Sequence, residues 1–539
     1  MNTFNGDMSV KKITFIFSLL LFSFISSTLL AANNEQFQTN TAEKITEQGI
    51  YFPQNKYIET TLPTYQKNKD KLPTPIFDRR PDYIKFYYKA WQIGFDHFKK
   101  PMKNSPLIAN FIDEAFNENI FLWDMSFSTM WGNYAHHIFP SINGLNNFYH
   151  SQLVDGEIVR EIGEQDGKLG VKGWSEPGTA GNLNHPMLAW AELESYYITA
   201  DKQRLQSVYL PLKKYRESFK KIYIPEEGLY LTDHGAMDDS PRNTQLLAGI
   251  DVAAEMVLFD RWLAEIATEL SINSEAQLYE NRAKKYSDFI NAKLWDDKTG
   301  FYYDWGKNNQ RMKMRTIAAF WTMIAKIPNK NQLTALIKQL NDPKAFNTKH
   351  RVPTHPANEI GFTGDYWAGA VWAPTNTMVI QGLEANNYYK LAHEIAINHL
   401  DNTTKVFNET GTAWENYTPL TQKKGRKAKS DFVGWSGLAP INYLIKHAIG
   451  IRLNAPNNTI TWRITELGRH GIKNLRFNGN SDATMNKITL IAQPRKTITD
   501  PLNFSVKCLK PFNLITISNG ITKHYSIDCK QINFNQSVG

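Results

Sequence analysis

Two short segments of the chain place carboxylates where they could carry out acid–base chemistry. Asp238 and Asp239 are adjacent, and Glu415 lies between a tryptophan and an asparagine. Cleavage of a glycosidic bond requires two such acids, because one protonates the leaving oxygen and the other activates a water molecule. The residues predict a pair made of Glu415 and one aspartate, with the other aspartate binding a sugar hydroxyl. The structural alternative for Asp238 is a helix cap, since Ser240 and Pro241 are typical of a helix start.

Aromatic residues recur around these acids. Phe, Trp and Tyr make up 13% of the chain, and their rings stack on the apolar faces of sugars. A carbohydrate cleft explains this composition, and aromatic packing in a large helical core is the alternative. Asp124, which opens a helical segment, either grips sugar hydroxyls or caps the helix. The aromatic candidates for a sugar-binding wall are Trp123, Tyr366, Trp367, Trp372 and Trp435.

Several other kinds of site are missing from the sequence patterns. The 13 histidines show no metal-binding spacing, and His136 and His137 are adjacent, so they face different ways on a helix. No glycine-rich phosphate loop and no Gly-x-Ser-x-Gly turn occurs. We therefore predict no catalytic metal and no cofactor. No nucleic-acid-binding motif is present, so the expected partner is an oligosaccharide or glycoside substrate.

The formal net charge of +9 is dispersed except in one segment. Residues 423–429 carry five cations in seven positions and lie between Glu415 and Trp435. If both of those residues line a cleft, this segment lies near its mouth. It is then either a solvated loop or a site that captures a substrate with a carboxylate or sulfate, since clustered cations raise the encounter rate with anions.

Helical periodicity dominates from about residue 83 to residue 449. Apolar residues recur at steps of three and four from Val252 to Leu270, so one face of that segment is apolar. The candidate helices fall into pairs without a fixed repeat, and long loops with Gly, Trp and acidic residues connect the pairs. This pattern favours a mainly α fold, an (α/α)6 barrel with its functional loops at one end. The predicted helices span 83–98, 126–136, 144–153, 186–197, 205–219, 252–270, 276–294, 315–325, 331–340, 372–383, 388–400 and 435–449.

The pattern changes after about residue 452. Short alternating segments bounded by turn residues predict a small β-sandwich module behind the barrel. Both cysteines, Cys508 and Cys529, lie in this module, either joined in one disulfide or as two buried thiols. The predicted strands span 459–464, 487–492, 503–506 and 512–517.

The first 32 residues are typical of a secretory signal peptide. Lys11 and Lys12 precede an apolar run that ends at Ala31 and Ala32. An uncleaved anchor is the alternative, because the run approaches the length of a membrane span. No later segment is apolar enough to span, so we expect an exported protein with no stable membrane span after cleavage. The predicted parts are a signal peptide at 1–32, an N-terminal arm at 33–75, a catalytic domain at 76–450 and a β-rich module at 451–539.

The acid and aromatic motifs together resemble those of six-hairpin glycosidases. That group includes trehalases, processing α-glucosidases and mannosylglycerate hydrolases (glycoside hydrolase families 37 and 63), and the resemblance covers about residues 80 to 450. Two positions depart from the family pattern: residues 234–236 read His-Gly-Ala where Glu-Ser-Gly is common, and Ala368 stands where arginine is common. The motifs that carry the resemblance are 123–124, 237–242, 366–372, 414–417 and 434–437.

The resemblance implies an (α/α)6 barrel and hydrolysis with inversion. By position in the motifs, Asp238 would be the general acid and Glu415 the general base. Arg242 would hold the acid loop or a sugar hydroxyl. The other residues that would line the sugar subsite are Trp123, Asp124, Tyr366, Trp367, Trp372 and Trp435.

The sequence therefore predicts an exported, inverting glycoside hydrolase that cleaves an α-linked glucoside or mannoside. Two other classes stay open: another (α/α)6 carbohydrate-active enzyme, such as a phosphorylase, lyase or epimerase, and a non-catalytic sugar-binding protein. A phosphorylase would use one carboxylate and a phosphate site, whereas an epimerase would use histidines. Nothing in the sequence indicates the oligomeric state.

Overall fold

The computed structural model describes residues 48–113, 118–234, 237–481 and 483–536. The predicted signal peptide and the first part of the predicted arm lie outside these ranges. Within the described ranges, no helix combines the length and the apolar character that crossing a membrane requires.

Among the described residues, three pairs of consecutive long helices pack together, and the two members of each pair differ in burial. Ile250–Glu269 is buried nearly all round, whereas Asn273–Leu294 is polar apart from one buried stripe. A helix that is apolar all round must lie in a core, and an amphipathic helix covers it. Each pair therefore supplies an inner and an outer helix. The same division holds between Leu188–Thr199 and Lys202–Ser218, and between Ala373–Ala385 and Tyr389–Thr410.

Each predicted helix has a counterpart in the structure, with ends mostly shifted by a few residues; the helix predicted at 388–400 continues to Thr410. The last one is a π-helix, Ala439–Ile449, rather than an α-helix. The remaining helices are Tyr65–Asn68, Pro81–Asp96, Leu122–Gly132, Asn146–His150, Ala180–Leu183, Trp321–Ile324 and Lys330–Leu340, with 3-10 turns at Lys69–Lys71, Asn133–Ala135, Ser141–Leu145, Phe219–Ile222, Pro241–Thr244, Ile317–Phe320 and Ser436–Leu438.

The residues after 450 form two facing sheets. Burial alternates along Asn486–Ala492 and Phe512–Ser518, as expected when each strand turns one face to a shared core. Trp462 lies in that core and donates from its indole nitrogen to the carbonyl of Ile449 (2.8 Å), which ties the sheets to the last helix. The first sheet is Thr74–Phe77, His470–Phe477, Asn486–Ala492, Leu502–Lys507 and Asn533–Gln536; the second is Ile451–Asn454, Thr459–Arg463, Phe512–Ser518 and Ile521–Ile527.

One strand of the first sheet comes from the other end of the chain. Thr74–Phe77 pairs antiparallel with His470–Phe477, so the end of the predicted arm is ordered as part of the β module. The sequence analysis missed this strand because Pro75 interrupts it and because its partner lies about 400 residues away. Short antiparallel strand pairs within the helical region were also missed: Phe98–Lys99 with Phe111–Ile112, Asn119–Phe121 with Glu161–Gly163, Tyr223–Ile224 with Leu229–Tyr230, Leu246–Ala248 with Trp305–Gly306, and Trp295–Asp296 with Phe301–Tyr302.

Cys508 and Cys529 form a disulfide between residues separated by 21 positions. Cys508 follows a strand of the first sheet and Cys529 follows a strand of the second, so the bond joins the two sheets.

Replacing both cysteines by serine should destabilise the β module. The crosslink removes loop-closure entropy from the unfolded chain, worth about 3 kcal/mol for a loop of this length. Thermal unfolding with and without reductant should show a lower melting temperature for the double variant, and no further effect of reductant on it. Equal melting temperatures for the two proteins would show that the bond adds nothing to the native fold.

Candidate active site

A cavity of about 390 Å³ opens among the loops at one end of the helices, and it contains both predicted catalytic acids. Asp238 and Glu415 lie far apart in sequence but both line it. So do most of the residues predicted to bind sugar: Trp123, Asp124, Tyr366, Trp367, Trp372 and Trp435.

The acid loop, defined here as residues 237–242, is held by its own hydrogen bonds. The side chain of Asn243 donates to the carbonyls of Met237 (2.7 Å) and Asp238 (3.0 Å). Ser240 caps the short turn Pro241–Thr244 and shares a hydrogen bond of 2.8 Å with His355. The predicted helix start at Ser240 is therefore confirmed, although it opens a single 3-10 turn.

Arg242 does not line the cavity, which corrects its predicted contact with substrate. Its side chain is fully buried and donates to Asp251 (2.6 Å) and Asp304 (3.3 Å). Asp304 also accepts from the backbone N–H of Ile250, at the start of the long inner helix. A buried guanidinium needs carboxylate partners, and Asp251 and Asp304 provide them for Arg242. Arg242 thus anchors the end of the acid loop to the helical core.

Glu415 is held in place on several sides. Its Oε2 accepts from the backbone N–H of Lys429 (3.0 Å), and its own N–H donates to the Lys429 carbonyl (3.0 Å). The indole of Trp435 donates to the Glu415 carbonyl (2.7 Å). Its Oε1 has no hydrogen bond of ordinary geometry among the described residues, although the Tyr366 hydroxyl lies close enough to favour the carboxylate. One oxygen is thus fixed, and the other is available to a water molecule.

One wall of the cavity consists of packed rings. Trp367 stacks on Trp372 with centroids 4.2 Å apart and planes 11° apart, and Trp372 in turn meets Trp435 at 5.6 Å. Tyr366 adopts a left-handed backbone with φ of 42°. Its carbonyl accepts from the Trp372 indole (3.0 Å) and from the Ala370 N–H (3.0 Å), which offsets the strain.

Trp123 and Asp124 stand in the first turn of the helix Leu122–Gly132. Trp123 packs against the ring of His185 at 4.7 Å. The cap of this helix is Phe121 rather than Asp124, so the structural alternative considered for Asp124 does not describe its position. Asp124 instead faces the cavity, where its carboxylate can accept hydrogen bonds from sugar hydroxyls.

The sequence analysis missed several lining residues. Arg160 directly precedes the strand Glu161–Gly163, and its guanidinium lies 5.5 Å from the ring of Trp174. Trp174 meets His234, just before the acid loop, at 4.2 Å. His185 contacts Glu255 (2.7 Å), which raises the pKa of its imidazole although desolvation opposes the rise. No acid–aromatic motif marks these positions; only the several glycines near Trp174 hinted at a functional loop.

Asp239 lies outside the cavity lining, in contrast to its predicted contact with a sugar hydroxyl. Its Oδ1 accepts from the backbone N–H of Trp367 (2.9 Å), and its Oδ2 pairs with the ammonium of Lys427 (3.2 Å). The carboxylate is thus occupied by protein groups. Of the two adjacent aspartates, Asp238 is the one that faces the cavity.

Burial governs the titration of both candidate acids. Desolvation raises the pKa of Asp238 to about 6, and the carboxylates of Asp239 and Asp233 add to the rise, while Arg160 opposes it. Desolvation also raises the pKa of Glu415 to about 7; the Lys429 N–H opposes it, and the charge of Asp238 adds to it. The charge of Asp238 therefore disfavours ionisation of Glu415, and near neutral pH the pair tends to hold one proton. Because the pKa of Glu415 is the higher of the two, that proton is on Glu415 more often than on Asp238.

A helical domain with two acids in a ring-lined cavity defines a carbohydrate-cleaving enzyme, and comparisons with known proteins agree. Residues 145–436 match the model of the mannosylglycerate hydrolase MGH1-like glycoside hydrolase domain. The chain belongs to this family, and it is a glycoside hydrolase.

Relatives and solved structures show how far the likeness extends. An uncharacterized protein of Borreliella burgdorferi is 27% identical over 362 residues, 64% of this chain and 75% of that protein. A mannosylglycerate hydrolase of Rubrobacter radiotolerans is 25% identical over 192 residues, 35% of this chain but only 41% of that enzyme. The crystal structure of a family 63 mannosylglycerate hydrolase from Thermus thermophilus in complex with glucose matches with a TM-score of 0.53 at 18% identity, covering 66% of this chain and 99% of that one. This structural likeness shows a shared fold, consistent with a helical barrel followed by a β module.

The dependence of kcat/KM on pH should be a narrow bell with limbs near the two pKa values, about 6 and about 7. Below the lower limb both acids are protonated and no base is available; above the upper limb both are ionised and no acid is available. Initial rates on a neutral aryl glycoside across this range test the expectation. A rate that stays constant through both limbs would contradict the assignment of the pair.

Proposed function

We propose that the protein hydrolyses an α-linked glucoside or mannoside with inversion, using Asp238 as general acid and Glu415 as general base. The observation that carries the proposal is that two acids from distant loops, the buried Glu415 and the half-buried Asp238, line one cavity while stacked rings cover its side. The proposal includes closure of the helical pairs into an (α/α)6 barrel, which would bring the two loops to the same end.

The proposed reaction proceeds from the less populated form of the pair, in which Asp238 carries the proton and Glu415 is ionised. Asp238 gives this proton to the glycosidic oxygen as the bond from that oxygen to the anomeric carbon breaks. Glu415 takes a proton from a water molecule, whose oxygen forms the new bond to the opposite face of the anomeric carbon. The backbone N–H of Lys429 holds Oε2 of Glu415, so Oε1 is the atom suited to receive that proton. Proton transfer returns both acids to their starting states after the products leave.

The other enzyme classes have less support from the site. A phosphorylase would use one carboxylate, whereas Asp238 and Glu415 both line this cavity, together with Asp124 and Glu161. An epimerase would rely on histidine. His185 lines the cavity, but its imidazole is paired with the carboxylate of Glu255. The family match is to hydrolases.

Asp238→Asn and Glu415→Gln should each lower kcat by about 10²- to 10⁴-fold, as loss of general acid or base catalysis does. The two losses should differ with the leaving group. A glycosyl fluoride, which needs little protonation, should recover much of the activity of Asp238→Asn but not that of Glu415→Gln.

Both variants should keep their fold. Because the folded-state pKa of each acid is raised, its ionised form costs stability as pH rises above the ordinary carboxyl pKa. At about pH 8 the amide variants should therefore melt no lower than the natural protein. Full activity of either folded variant on an aryl glycoside with a poor leaving group would refute the proposed roles.

A second candidate is hydrolysis of a glycoside whose aglycone carries a carboxylate. Arg160 lines the cavity and lowers the pKa of Asp238, so a fixed positive charge faces the site. The cationic loop, defined as residues 423–429, lies at the mouth, because Lys427 stands over the ring of Tyr366 at 5.7 Å. Two cations of this loop already interact with protein groups: Arg426 pairs with Asp365 (2.8 Å), and the ammonium of Lys424 lies 4.4 Å from the ring of Trp414. The glycerate in the name of the Rubrobacter relative is an aglycone of this kind.

Substituting glutamine for the cations of this loop other than Lys427 should lower kcat/KM for an anionic substrate about tenfold at low salt, and the effect should shrink at high salt. Neutral substrates should be unaffected. Comparing the two substrates at two salt concentrations makes this test. An equal response of both substrates, or no response, would leave the loop as a solvated segment.

We also propose that the protein is exported, which rests on the signal-like first 32 residues. The Cys508–Cys529 disulfide supports it, because such bonds persist in oxidising compartments.

A further inference from the structure

Asp239 contacts two different loops, one through each carboxylate oxygen. Oδ1 accepts from the N–H of Trp367, a residue of the ring wall, at 2.9 Å. Oδ2 meets the ammonium of Lys427 in the cationic loop at 3.2 Å. The residue directly before it is Asp238, so these contacts act on the loop that carries the proposed acid.

The cationic loop is attached in turn to the proposed base. Its last residue, Lys429, exchanges two backbone hydrogen bonds with Glu415, using its N–H for the carboxylate and its carbonyl for the Glu415 N–H. Gly425 donates to the carbonyl of Asn416 at 2.9 Å, which fixes the loop beside the base. A displacement of Lys427 is therefore transmitted to the segment that holds Glu415.

The Trp367 contact reaches the base by a second route. Trp367 stacks on Trp372, which meets Trp435, and the Trp435 indole donates to the Glu415 carbonyl. The preceding residue, Tyr366, is strained, so its loop needs fixed contacts to keep its shape. Asp239 supplies one of them from outside the loop.

We infer that Asp239 is a positioning residue, which fixes the acid loop against the ring wall and the base-bearing segment so that Asp238 and Glu415 keep a productive separation. The inference rests on the proposed function. It explains why a partly exposed aspartate stands beside the acid and yet turns both oxygens away from the cavity. Misplacement of catalytic groups by about 1 Å can cost about 100-fold in rate, so the effect falls on kcat more than on KM.

The variants separate the two contacts. Asp239→Ala loses both, Asp239→Asn keeps an acceptor for the Trp367 N–H but loses the charge, and Lys427→Gln loses only the ion pair. Asp365→Asn is the matched control, because it breaks the neighbouring pair with Arg426 without touching the acid loop.

For Asp239→Ala we expect kcat to fall about 10- to 100-fold with a smaller change in KM. Asp239→Asn and Lys427→Gln should each lose about threefold, since a partly exposed ion pair contributes less than about 1 kcal/mol. Asp365→Asn should match the natural enzyme. Asp239→Asn should also move the acidic limb of the pH profile, which lies near the Asp238 pKa of about 6, to lower pH. The Asp239 charge favours protonation of Asp238, as the Asp233 charge does, while Arg160 and His234 oppose it; Glu415 lines the same cavity.

A kcat for Asp239→Ala within twofold of the natural value, with Asp238→Asn and Glu415→Gln inactive, would overturn the inference and leave the proposed function intact. An equal loss in Asp365→Asn would also overturn it. If Asp239→Ala does not fold, the other two variants test the inference. The measurements are then the losses of kcat, about threefold, in Asp239→Asn and Lys427→Gln and the shifted pH limb of Asp239→Asn. Activity in the Asp238 and Glu415 variants would instead remove the proposed function, and this inference with it.

Discussion

The burial of two carboxylates beside one cavity is the constraint on which the rest of the site depends. Loss of hydration raises the pKa of each acid, and the charge of Asp238 raises the pKa of Glu415 further, so ionising both acids is unfavourable. A site of this kind keeps one proton for donation and one carboxylate for proton removal near neutral pH. That is the pairing that acid–base hydrolysis of a glycoside needs.

Such a pair is stable only if the surrounding loops resist rearrangement towards water. Arg242 anchors the acid loop, because its guanidinium pairs with Asp251 and Asp304. Asp251 lies in the first turn of the inner helix Ile250–Glu269, and Asp304 accepts from the backbone N–H of Ile250. The base is held by the Lys429 backbone and by the Trp435 indole. Arg242, Asp251, Asp304 and Glu415 are themselves buried, so loosening their contacts would leave an unpaired polar atom in the core.

The sequence predicted the helices and the cavity-facing residues well where a local pattern carries the information. The helix at Ile250–Glu269 follows from its apolar spacing, and the wall formed by Trp367, Trp372 and Trp435 follows from dense aromatic motifs. For Arg242 the sequence left two roles open, holding the acid loop or a sugar hydroxyl, because a cation beside an acid motif is compatible with buried pairing and with binding substrate. Only the folded positions of Asp251 and Asp304 decide between the two. The strand at Thr74–Phe77 and the cavity position of Arg160 depend on partners distant in sequence, which periodicity cannot reveal.

The central claim, that Glu415 activates water rather than attacking the sugar, is tested most directly by the configuration of the first product. Proton NMR of the sugar released from an α-glycoside, recorded before mutarotation, distinguishes the two. If water attacks the face opposite the leaving group, the β-anomer appears first and the α-anomer grows in later. Initial appearance of the α-anomer would mean that Glu415 forms a covalent intermediate, and it would contradict this account of the site.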